Sequence, residues 1–323
     1  MKKRILSGIQ PSGMLHIGNY FGAMKQFVEL QNNNESFIFI ANYHAMTTIK
    51  DPQVLYENTL DVAMYYLAIG LDPEKVYLFK QSDVKYVNEL SWIFSTLTPM
   101  GLLERCHSYK DKIAKGIPAD HGLFAYPVLM AADILIYQSD IVPIGSDQKQ
   151  HVEVARDIAI RFNNLYGEIF NLPEPQIQES TAIIPGIDGQ KMSKSYDNFI
   201  PLFAEEKQIK KRVMSIVTDS TPLESPKDPG KCNVIALYKL VAEKNEIESI
   251  EQKYKNGGYG YGHAKKALLE KILEYFSQFR QKYQQLSQNL DYVEEILKQG
   301  AQKANEIAAQ TMQNVYEAVG LKK

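Results

Sequence analysis

The sequence predicts an α/β fold with a doubly wound parallel sheet, followed by an all-helical C-terminal domain. In the first 190 of the 323 residues, short apolar runs alternate with longer amphipathic runs, which is typical of parallel strands joined by crossover helices. From about Glu205 onward almost every run has helical periodicity, and turn clusters rich in Gly and Pro separate the runs. A chain of this length with such a change of pattern is expected to form two structural regions.

Apolar runs bounded by polar residues predict the strands of the sheet. An amphipathic helix follows the first run. A second helix is expected to begin at Asp51 and Pro52, because Asp is a favoured N-cap and Pro suits the first helical position, and to end near Gly70. The predicted strands cover residues 5–9, 36–41, 75–80, 139–144 and 177–184.

Helical periodicity dominates two further regions. Between about residues 84 and 138 it is irregular, with Pro99 and Gly101 interrupting it and with Pro127 expected in the first turn of a new helix. The predicted helices of the C-terminal region cover residues 207–217, 233–243, 247–254, 264–283, 292–297 and 301–319.

Composition excludes several classes of protein. Hydrophobic residues make up 45% of the chain and charged residues 23%, as in ordinary globular proteins and unlike disordered ones. The basic N-terminus begins like a secretory signal, but polar and turn-forming residues interrupt its apolar run, and no later run reaches the length of a membrane span. Two distant cysteines, Cys106 and Cys232, indicate neither a disulfide framework nor a cysteine-bound metal. We expect a cytoplasmic protein with no membrane partner.

The net charge of −2 does not indicate a nucleic-acid binder, but the charge is unevenly distributed. Residues 1–190 hold 15 Lys and Arg against 21 Asp and Glu, whereas residues 191–323 hold 21 against 17. An ordinary solvated surface explains an asymmetry of this size. It is compatible with a contact between the second half and a nucleic acid, but does not predict one.

A Gly-containing turn follows the first predicted strand. Residues 10–19 read Gln-Pro-Ser-Gly-Met-Leu-His-Ile-Gly-Asn and lie between that strand and the first amphipathic helix. Such a crossover directs unpaired backbone N–H groups and the positive end of the helix dipole towards one point, which suits an anion such as phosphate. Glycines at 13 and 18 allow close approach of the backbone to a ligand. Taken alone, the stretch could equally be ordinary turn chemistry.

A second stretch changes that interpretation. Residues 191–195 read Lys-Met-Ser-Lys-Ser, in a Gly-rich segment beyond the last predicted strand. Together, the two stretches resemble the signature pair of class I aminoacyl-tRNA synthetases, which closes over ATP on a Rossmann-like domain. The fourth position of the first signature is Asn19 where the family often has His, and the flanking residues look like the tryptophanyl branch of the family.

The resemblance implies a set of catalytic and ATP-binding residues. His16 and Asn19 would steady the α-phosphate, and Lys191 and Lys194 would draw off pyrophosphate. No side-chain cluster suited to a metal is visible in the sequence, so Mg²⁺ is expected to arrive with ATP. The implied ATP-binding residues are Gln10, Pro11, Ser12, Gly18, Asn19, Gly145, Ser146, Asp147, Ile184, Lys191, Met192, Ser193, Lys194 and Ser195.

A carboxylate stands inside the apolar run 126–137. Tyr126, Met130 and Asp133 are spaced to share one helical face, and a buried Asp costs several kcal/mol unless it is paired. A structural partner could satisfy it. In the resembled family, however, the matching carboxylate accepts the indole N–H of tryptophan. The implied tryptophan-binding residues are Asp133, Tyr126, Met130, His44, Val142, Ile144 and Gln148.

Three positions carry a second interpretation. His44 follows a predicted strand at the edge where α/β ligands bind, but a lone histidine there also serves as a structural hydrogen-bonding group. The family often has Asp where this chain has Asn42, which leaves the role of that residue open. Lys112 matches a mobile basic loop that reaches ATP phosphates, although a solvated charged loop explains it as well.

The resemblance spans essentially the whole chain. It implies a catalytic domain over 1–190 with a helical insertion at about 84–138, a signature loop and helical anticodon-binding domain over 191–290, and C-terminal helices over 291–323 that pack back on the catalytic domain. The implied partners are L-tryptophan, ATP, tRNA(Trp) and a second copy of the chain in a homodimer.

The implied activity is that of a tryptophan–tRNA ligase, which forms tryptophanyl-AMP and then charges tRNA. Two alternatives remain open, namely a tyrosine-specific ligase on the same fold and a tRNA- or nucleotide-binding protein without catalysis. A small nucleotidyltransferase that has the first signature alone is disfavoured by the second signature and the helical tail. A tRNA- or nucleotide-binding protein without catalysis would not need the implied site residues, which are all present in this sequence: His16, Asp133, Asp147, Lys191 and Lys194.

Overall fold

A computed structural model describes residues 2–114, 120–145, 148–177 and 184–322. The chain forms two compact units. The first takes in the described residues of 1–13, 27–178 and 288–323, and the second those of 14–26 and 179–287. The domain boundaries near 190 and 290 stay predictions.

The first unit contains a five-stranded sheet in which every neighbouring pair of strands is parallel. Its strand order is β3-β2-β1-β4-β5, and the direction of winding reverses between β1 and β4. The predicted doubly wound α/β fold with a helical C-terminal part is confirmed. The strands are β1 (Arg4–Ile9), β2 (Glu35–Ile40), β3 (Val76–Lys80), β4 (Ile141–Ile144) and β5 (Glu174–Ile177).

The strand predicted over 177–184 meets the described strand β5 at Ile177, and residues 178–183 lie outside the described residues. The α-helices in chain order are α1 (Ile17–Asn19), α2 (Lys25–Leu30), α3 (Asn42–Ala45), α4 (Pro52–Ala68), α5 (Val87–Ser95), α6 (Met100–Glu104), α7 (His107–Ala114), α8 (His121–Leu135), α9 (Lys149–Tyr166), α10 (Glu206–Met214), α11 (Asn233–Val241), α12 (Lys244–Asn256), α13 (Tyr261–Tyr275), α14 (Ser277–Ser287) and α15 (Leu290–Val319).

The central strands are buried because helices cover the sheet. Residues 36–40 of β2 are all buried, which explains why the strand reads as a continuous apolar run rather than an alternating one. Side chains of the strands β1, β2, β3 and β4 and of the helices α5, α8, α9 and α15 form one hydrophobic core. The parallel register, in which Leu6 lies opposite Phe37 and Phe37 opposite Tyr77, brings the carboxyl ends of these strands to one edge.

Helix starts follow the local chemistry in one case and not in another. Asp51 caps α4 as predicted, with its Oδ1 accepting the backbone N–H of Gln53 at 2.8 Å and of Val54 at 3.1 Å. Pro127 was expected in the first turn of a helix, and that prediction is wrong, because α8 already begins at His121. Proline lacks an N–H, so Pro127, which is buried inside α8, leaves the helix without one of its backbone hydrogen bonds.

The second unit is helical and has its own core of buried apolar side chains from α10, α11 and α13. Its N-terminal segment contains α1 and the π-helical turn Tyr20–Met24. Tyr20 is buried in a group of aromatic rings that we call the aromatic cluster. Its ring lies 4.9 to 6.0 Å from those of its partners Phe21, Tyr275, Phe276 and Phe279.

Two predicted helix boundaries are wrong. The helix expected over 264–283 is two helices, α13 and α14, with a break at Phe276. The helices expected over 292–297 and 301–319 are a single helix, α15, which passes through Gly300. A lone glycine usually weakens a helix. At this position the missing side chain lets α15 lie against β3, since a Cβ on Gly300 would overlap the carbonyl oxygen of Leu78.

We therefore expect Gly300→Ala to destabilise the first unit by about 1–3 kcal/mol, because α15 would have to move away from β3. Thermal unfolding followed by circular dichroism measures this as a lower midpoint. Gly122→Ala in α8 is the matched control, since a Cβ there meets nothing within 4 Å and the change should be neutral or slightly stabilising. Equal midpoints for the wild type and Gly300→Ala would contradict the close packing.

Candidate active site

The reversal of the sheet between β1 and β4 marks where a ligand is expected in a fold of this kind, beyond the carboxyl ends of these strands. Residues 10–12 follow β1 directly, and Gly145 follows β4. Gln10 and Ser12 are exposed, Pro11 is buried, and the Ser12 N–H donates to the Gln10 carbonyl at 2.8 Å. The Gly145 carbonyl accepts the N–H of Gln148 at 3.0 Å. Both turns are therefore held by local backbone bonds. Ser146 and Asp147, also predicted to bind ATP, lie outside the described residues.

The predicted indole acceptor, Asp133, is buried in α8 with 2% of its surface exposed. Its Oδ2 lies 2.9 Å from Nε2 of His44, and the Nε2 amide of Gln81 donates to Oδ1 at 2.9 Å and to Oδ2 at 2.8 Å. Burial raises the pKa of Asp133, while the bonds from His44 and Gln81 act in the opposite direction. The structure thus brings His44 and Asp133 together, as the prediction requires of residues in one pocket.

Gln81 was not identified from the sequence. It opens a short 3₁₀ helix, Gln81–Asp83, directly after β3, and its Oε1 accepts the N–H of Tyr43 at 3.0 Å. Its only sequence signal was its position, a polar residue at the carboxyl end of a buried strand. Asn42 has a structural partner next to it, because its amide donates to Ser82 Oγ at 2.8 Å and accepts the Ser82 N–H at 3.1 Å.

A second series of hydrogen bonds joins two other predicted tryptophan-binding residues, Tyr126 and Gln148, through His151. The hydroxyl of Tyr126 bonds to Nε2 of His151, and Nδ1 of His151 lies 2.8 Å from Oε1 of Gln148. If the Gln148 oxygen accepts, Nδ1 carries the proton and Nε2 accepts from the Tyr126 hydroxyl. His151 is buried and was also missed, since nothing in the sequence around 149–152 distinguishes it from a helix residue.

The remaining predicted tryptophan-binding residues lie on the hydrophobic core of the first unit. Val142 is buried in β4, and Met130 and Ile144 are partly buried against the hydrophobic core of the first unit. Their contact with a substrate ring stays a prediction.

The second unit holds the other end of the first signature. His16 is the N-cap of α1, is 5% exposed, and its N–H donates to Oδ1 of Asn19 at 3.0 Å. Burial and then the charge of Lys194 lower the pKa of His16 to about 4, so the imidazole is neutral near pH 7. Within the described residues, its Nδ1 has no hydrogen-bond partner.

The two signatures meet in this unit. The N–H of Gly18 lies 3.3 Å from Sδ of Met192, a buried residue of the second signature. A Cβ on Gly18 would lie 2.9 Å from Nδ1 of His16 and 3.2 Å from Cβ of Met192, so a larger residue would push the signatures apart. This close approach gives Gly18 a steric role in addition to its predicted one.

The Lys-Met-Ser-Lys-Ser segment is organised by a residue that sequence reasoning missed. Asn198 is buried, its Oδ1 accepts the N–H of Ser193 at 2.7 Å, and its amide donates to Asp188 at 2.8 Å and to the Lys191 carbonyl at 3.1 Å. Gly186 packs directly against it. One side chain therefore joins both arms of the loop.

The loop presents its polar groups outward. Lys191 is exposed and Lys194 is half-buried at the start of the short 3₁₀ helix Lys194–Tyr196. Ser193 caps that helix by accepting the N–H of Ser195 at 3.2 Å. On the inner side, the Met192 N–H donates to the Ile184 carbonyl at 2.9 Å. The side chain of Lys112, the other predicted basic group, lies outside the described residues.

In the part of the chain that the structure describes, no three His, Cys, Asp or Glu side chains gather as a metal site would require. None of the described helices combines the length and hydropathy needed to cross a bilayer.

Because the His16 pKa falls from 6.5 to about 4 on folding, the unfolded chain binds more protons between these pH values. The free energy of unfolding should therefore fall as the pH is lowered through this window, by up to about 1.4 kcal/mol per pH unit from this group. Urea unfolding at pH 7 and pH 4.5 measures the slope, which His16→Asn should reduce. His107→Asn, at an exposed histidine, is the control. Equal slopes in the wild type and His16→Asn would show that His16 titrates normally.

Comparison with known proteins identifies the family. The family described as tRNA synthetases class I (W and Y) matches residues 1–277. The tryptophan–tRNA ligase of Fusobacterium nucleatum is 57% identical over 320 residues, which make up 99% of this chain and 98% of that protein. A Campylobacter jejuni tryptophan–tRNA ligase is 54% identical over 318 residues, which make up 98% of this chain and 100% of that protein.

A solved structure agrees with the sequence relatives. The crystal structure of Campylobacter jejuni tryptophanyl-tRNA synthetase complexed with ADP and tryptophan matches with a TM-score of 0.94 at 54% identity, over 98% of this chain and 99% of that chain. Since both the family match and these relatives cover most of its length, the chain belongs to the class I tRNA synthetases of the tryptophan and tyrosine group, and within it to the tryptophan–tRNA ligases.

Proposed function

We propose that this chain activates L-tryptophan with ATP, releasing pyrophosphate and forming tryptophanyl-AMP, and then transfers the tryptophan to its tRNA. The observation that carries the proposal is the buried carboxylate of Asp133, bonded to Gln81 and His44 at the edge of the sheet where ligands bind. The family of the chain and the tryptophan and ADP in its Campylobacter jejuni relative support it.

Tryptophan fits the chemistry of this carboxylate. The indole N–H is the only polar group of the tryptophan side chain, and it can only donate a hydrogen bond. A carboxylate has about four acceptor positions, and Gln81 and His44 account for three at Asp133. The phenol of tyrosine, the substrate of the alternative ligase, both donates and accepts a hydrogen bond. The Gln81 amide donates to the carboxylate of Asp133 and is therefore not directed at a phenol oxygen.

The polar end of the amino acid would bind Tyr126 and Gln148. The bond through His151 orients both side chains, so that Tyr126 can accept from the α-ammonium group while the Gln148 amide donates to the carboxylate. That carboxylate is the nucleophile. One of its oxygens attacks the α-phosphorus of ATP, and the bond from this phosphorus to the β-phosphate oxygen breaks.

ATP would bind through the residues that the family resemblance implies. These are residues 10–12 and Gly145, with His16, Gly18 and Asn19, and the loop from Ile184 to Ser195. A neutral His16 can donate one N–H to a phosphate oxygen, and the two loop lysines would neutralise the charge that accumulates on the departing pyrophosphate. Mg²⁺ would enter as part of the ATP substrate.

Transfer needs no covalent bond to the protein. A hydroxyl of the terminal ribose of tRNA attacks the carbonyl carbon of tryptophanyl-AMP, and AMP leaves. Positioning and charge stabilisation are then the main contributions of the protein. The positive excess of residues 191–323 is compatible with a contact between this half of the chain and tRNA phosphates.

We also propose a homodimer that works in the cytoplasm. Trp92 and Met100, in the segment predicted as the helical insertion, are 72% and 63% exposed, and a second copy of the chain could cover these large apolar side chains. Both cysteines are free thiols, which suits a reducing compartment where ATP and tRNA are present.

Amino-acid-dependent exchange of pyrophosphate into ATP, measured for all twenty amino acids, tests the activity. We expect exchange with tryptophan, and a loss of about 100-fold or more in kcat/KM in Asp133→Ala, because the indole N–H loses a charged acceptor. ATP binding should be largely unchanged in that variant. Exchange with tyrosine instead would support the alternative ligase, and no exchange with any amino acid would support the non-catalytic binding protein.

Lys194→Ala tests the role of the second signature. We expect the rate of adenylate formation in a single turnover to fall by about 10²–10³-fold, because one group that stabilises the leaving pyrophosphate is removed. Tryptophan affinity, measured by calorimetry, should change little. Lys210→Ala, an exposed lysine of α10, is the control. Equal losses in rate and in tryptophan affinity would argue against the leaving-group role.

A further inference from the structure

Gln81 links two elements at the edge of the sheet. It is 1% exposed, lies directly after β3, and uses both ends of its amide. The Oε1 atom accepts the N–H of Tyr43 in α3, and Nε2 donates to both oxygens of Asp133 in α8. The side chain therefore bridges the backbone after β2 and the buried carboxylate.

The direction of this bridge is fixed. If the amide were reversed, its oxygen would face the Asp133 carboxylate and its NH₂ group would face the Tyr43 N–H, which gives two repulsive contacts in place of three bonds. His44 is different, because its Nε2 donates in one tautomer and accepts in the other. Of the two neighbours bonded to Asp133, Gln81 is the one that donates whatever the tautomer or protonation state of the histidine.

This arrangement determines what Asp133 can offer to a ligand. Gln81 takes one position on each oxygen and His44 takes a second position on Oδ2, so the remaining acceptor position is on Oδ1. In the tautomer in which Nε2 of His44 donates, the other three positions face N–H groups, so a proton on Asp133 would occupy this same position. A protonated Asp133 would then present an O–H to the ligand, and could not accept from a second donor.

We propose that Gln81 is a positioning residue that sets the specificity of the site: by bonding to both oxygens of Asp133, it leaves one acceptor position that selects a ring with an N–H over an isosteric ring without one. The inference rests on the proposed function, in which Asp133 receives the indole. It extends specificity to a residue that lies behind the carboxylate.

Charged and titratable neighbours of Asp133 bear on the test. His44 bonds to it directly, and Tyr137 interacts with it electrostatically, with a pKa raised by burial and then by Asp133. Burial already raises the pKa of Asp133, and the Gln81 bond opposes that shift. Removal of Gln81 should therefore allow Asp133 to take up a proton at higher pH than in the wild type.

Gln81→Met tests the proposal, because Met has a similar length and no donor. Pyrophosphate exchange is measured with tryptophan and with 3-(benzothiophen-3-yl)alanine, in which sulfur replaces the indole N–H. We expect kcat/KM for tryptophan to fall about 10- to 100-fold, as for loss of a hydrogen bond to a charged group. The value for the sulfur analogue should change less than about threefold, so discrimination decreases. The acid limb of the tryptophan pH profile should move to higher pH, while that of the analogue stays in place.

Asn42→Ala is the matched control, since it breaks the neighbouring pair with Ser82 without touching Asp133. It should affect both amino acids equally. Gln81→Asn, which keeps an amide but shortens its reach, should show the same loss of discrimination if Gln81→Met folds poorly.

The outcomes separate the inference from the function on which it rests. Equal losses for tryptophan and the sulfur analogue in both Gln81 variants, with unchanged pH profiles, would show that Gln81 only packs, and would overturn the inference while leaving the ligase activity intact. An absence of tryptophan-dependent exchange in the wild type would instead remove the proposed function.

Discussion

The hydrogen bonds to the buried carboxylate of Asp133 are the constraint on which the first unit's candidate site depends. A charge that is nearly inaccessible to water is costly unless donors surround it. The groups bonded to it are His44, in the helix after β2, and the amide of Gln81, directly after β3. Because parallel strands end at one edge, the sheet brings both within reach of α8. The requirement to satisfy one carboxylate thus fixes the relative positions of three elements.

In the second unit the comparable constraint is the close approach between the backbone of the first signature and the second signature. Gly18 leaves room for His16 on one side and Met192 on the other, and Asn198 holds the backbone of the second signature from inside. These contacts hold the backbone of the loop through Met192 and Asn198, without using the side-chain ammonium groups of Lys191 and Lys194.

Much of the fold could be predicted from the sequence, because strand and helix periodicities and the cap at Asp51 are local signals. The errors have physical causes. Gly300 looked like a helix break because its packing partner, Leu78, is more than two hundred residues away, and Pro127 looked like a helix start because the weaker turn before it has no distinct pattern. Only the folded chain shows that close packing overrides these local preferences.

The candidate site could be predicted in part. Motifs led to His16, Asp133 and the loop lysines, whose roles stay predictions. Gln81, His151 and Asn198 were missed because each is an ordinary polar residue whose importance comes from its partners: Gln81 bonds to a carboxylate 52 residues away, and His151 to a hydroxyl 25 residues away. No local pattern marks such pairs, since the sheet and helices bring them together.

The aromatic cluster links the two halves of the sequence in a way that affects any attempt to shorten the chain. Tyr20 and Phe21, one helical turn beyond His16, pack on rings from Tyr275 to Phe279. A fragment that ended after the sheet and the loop would expose these rings to water and release the turn that carries His16. The helical half therefore supports the first signature. A shortened chain would need other apolar groups to cover Tyr20 and Phe21 in place of the rings from Tyr275 to Phe279.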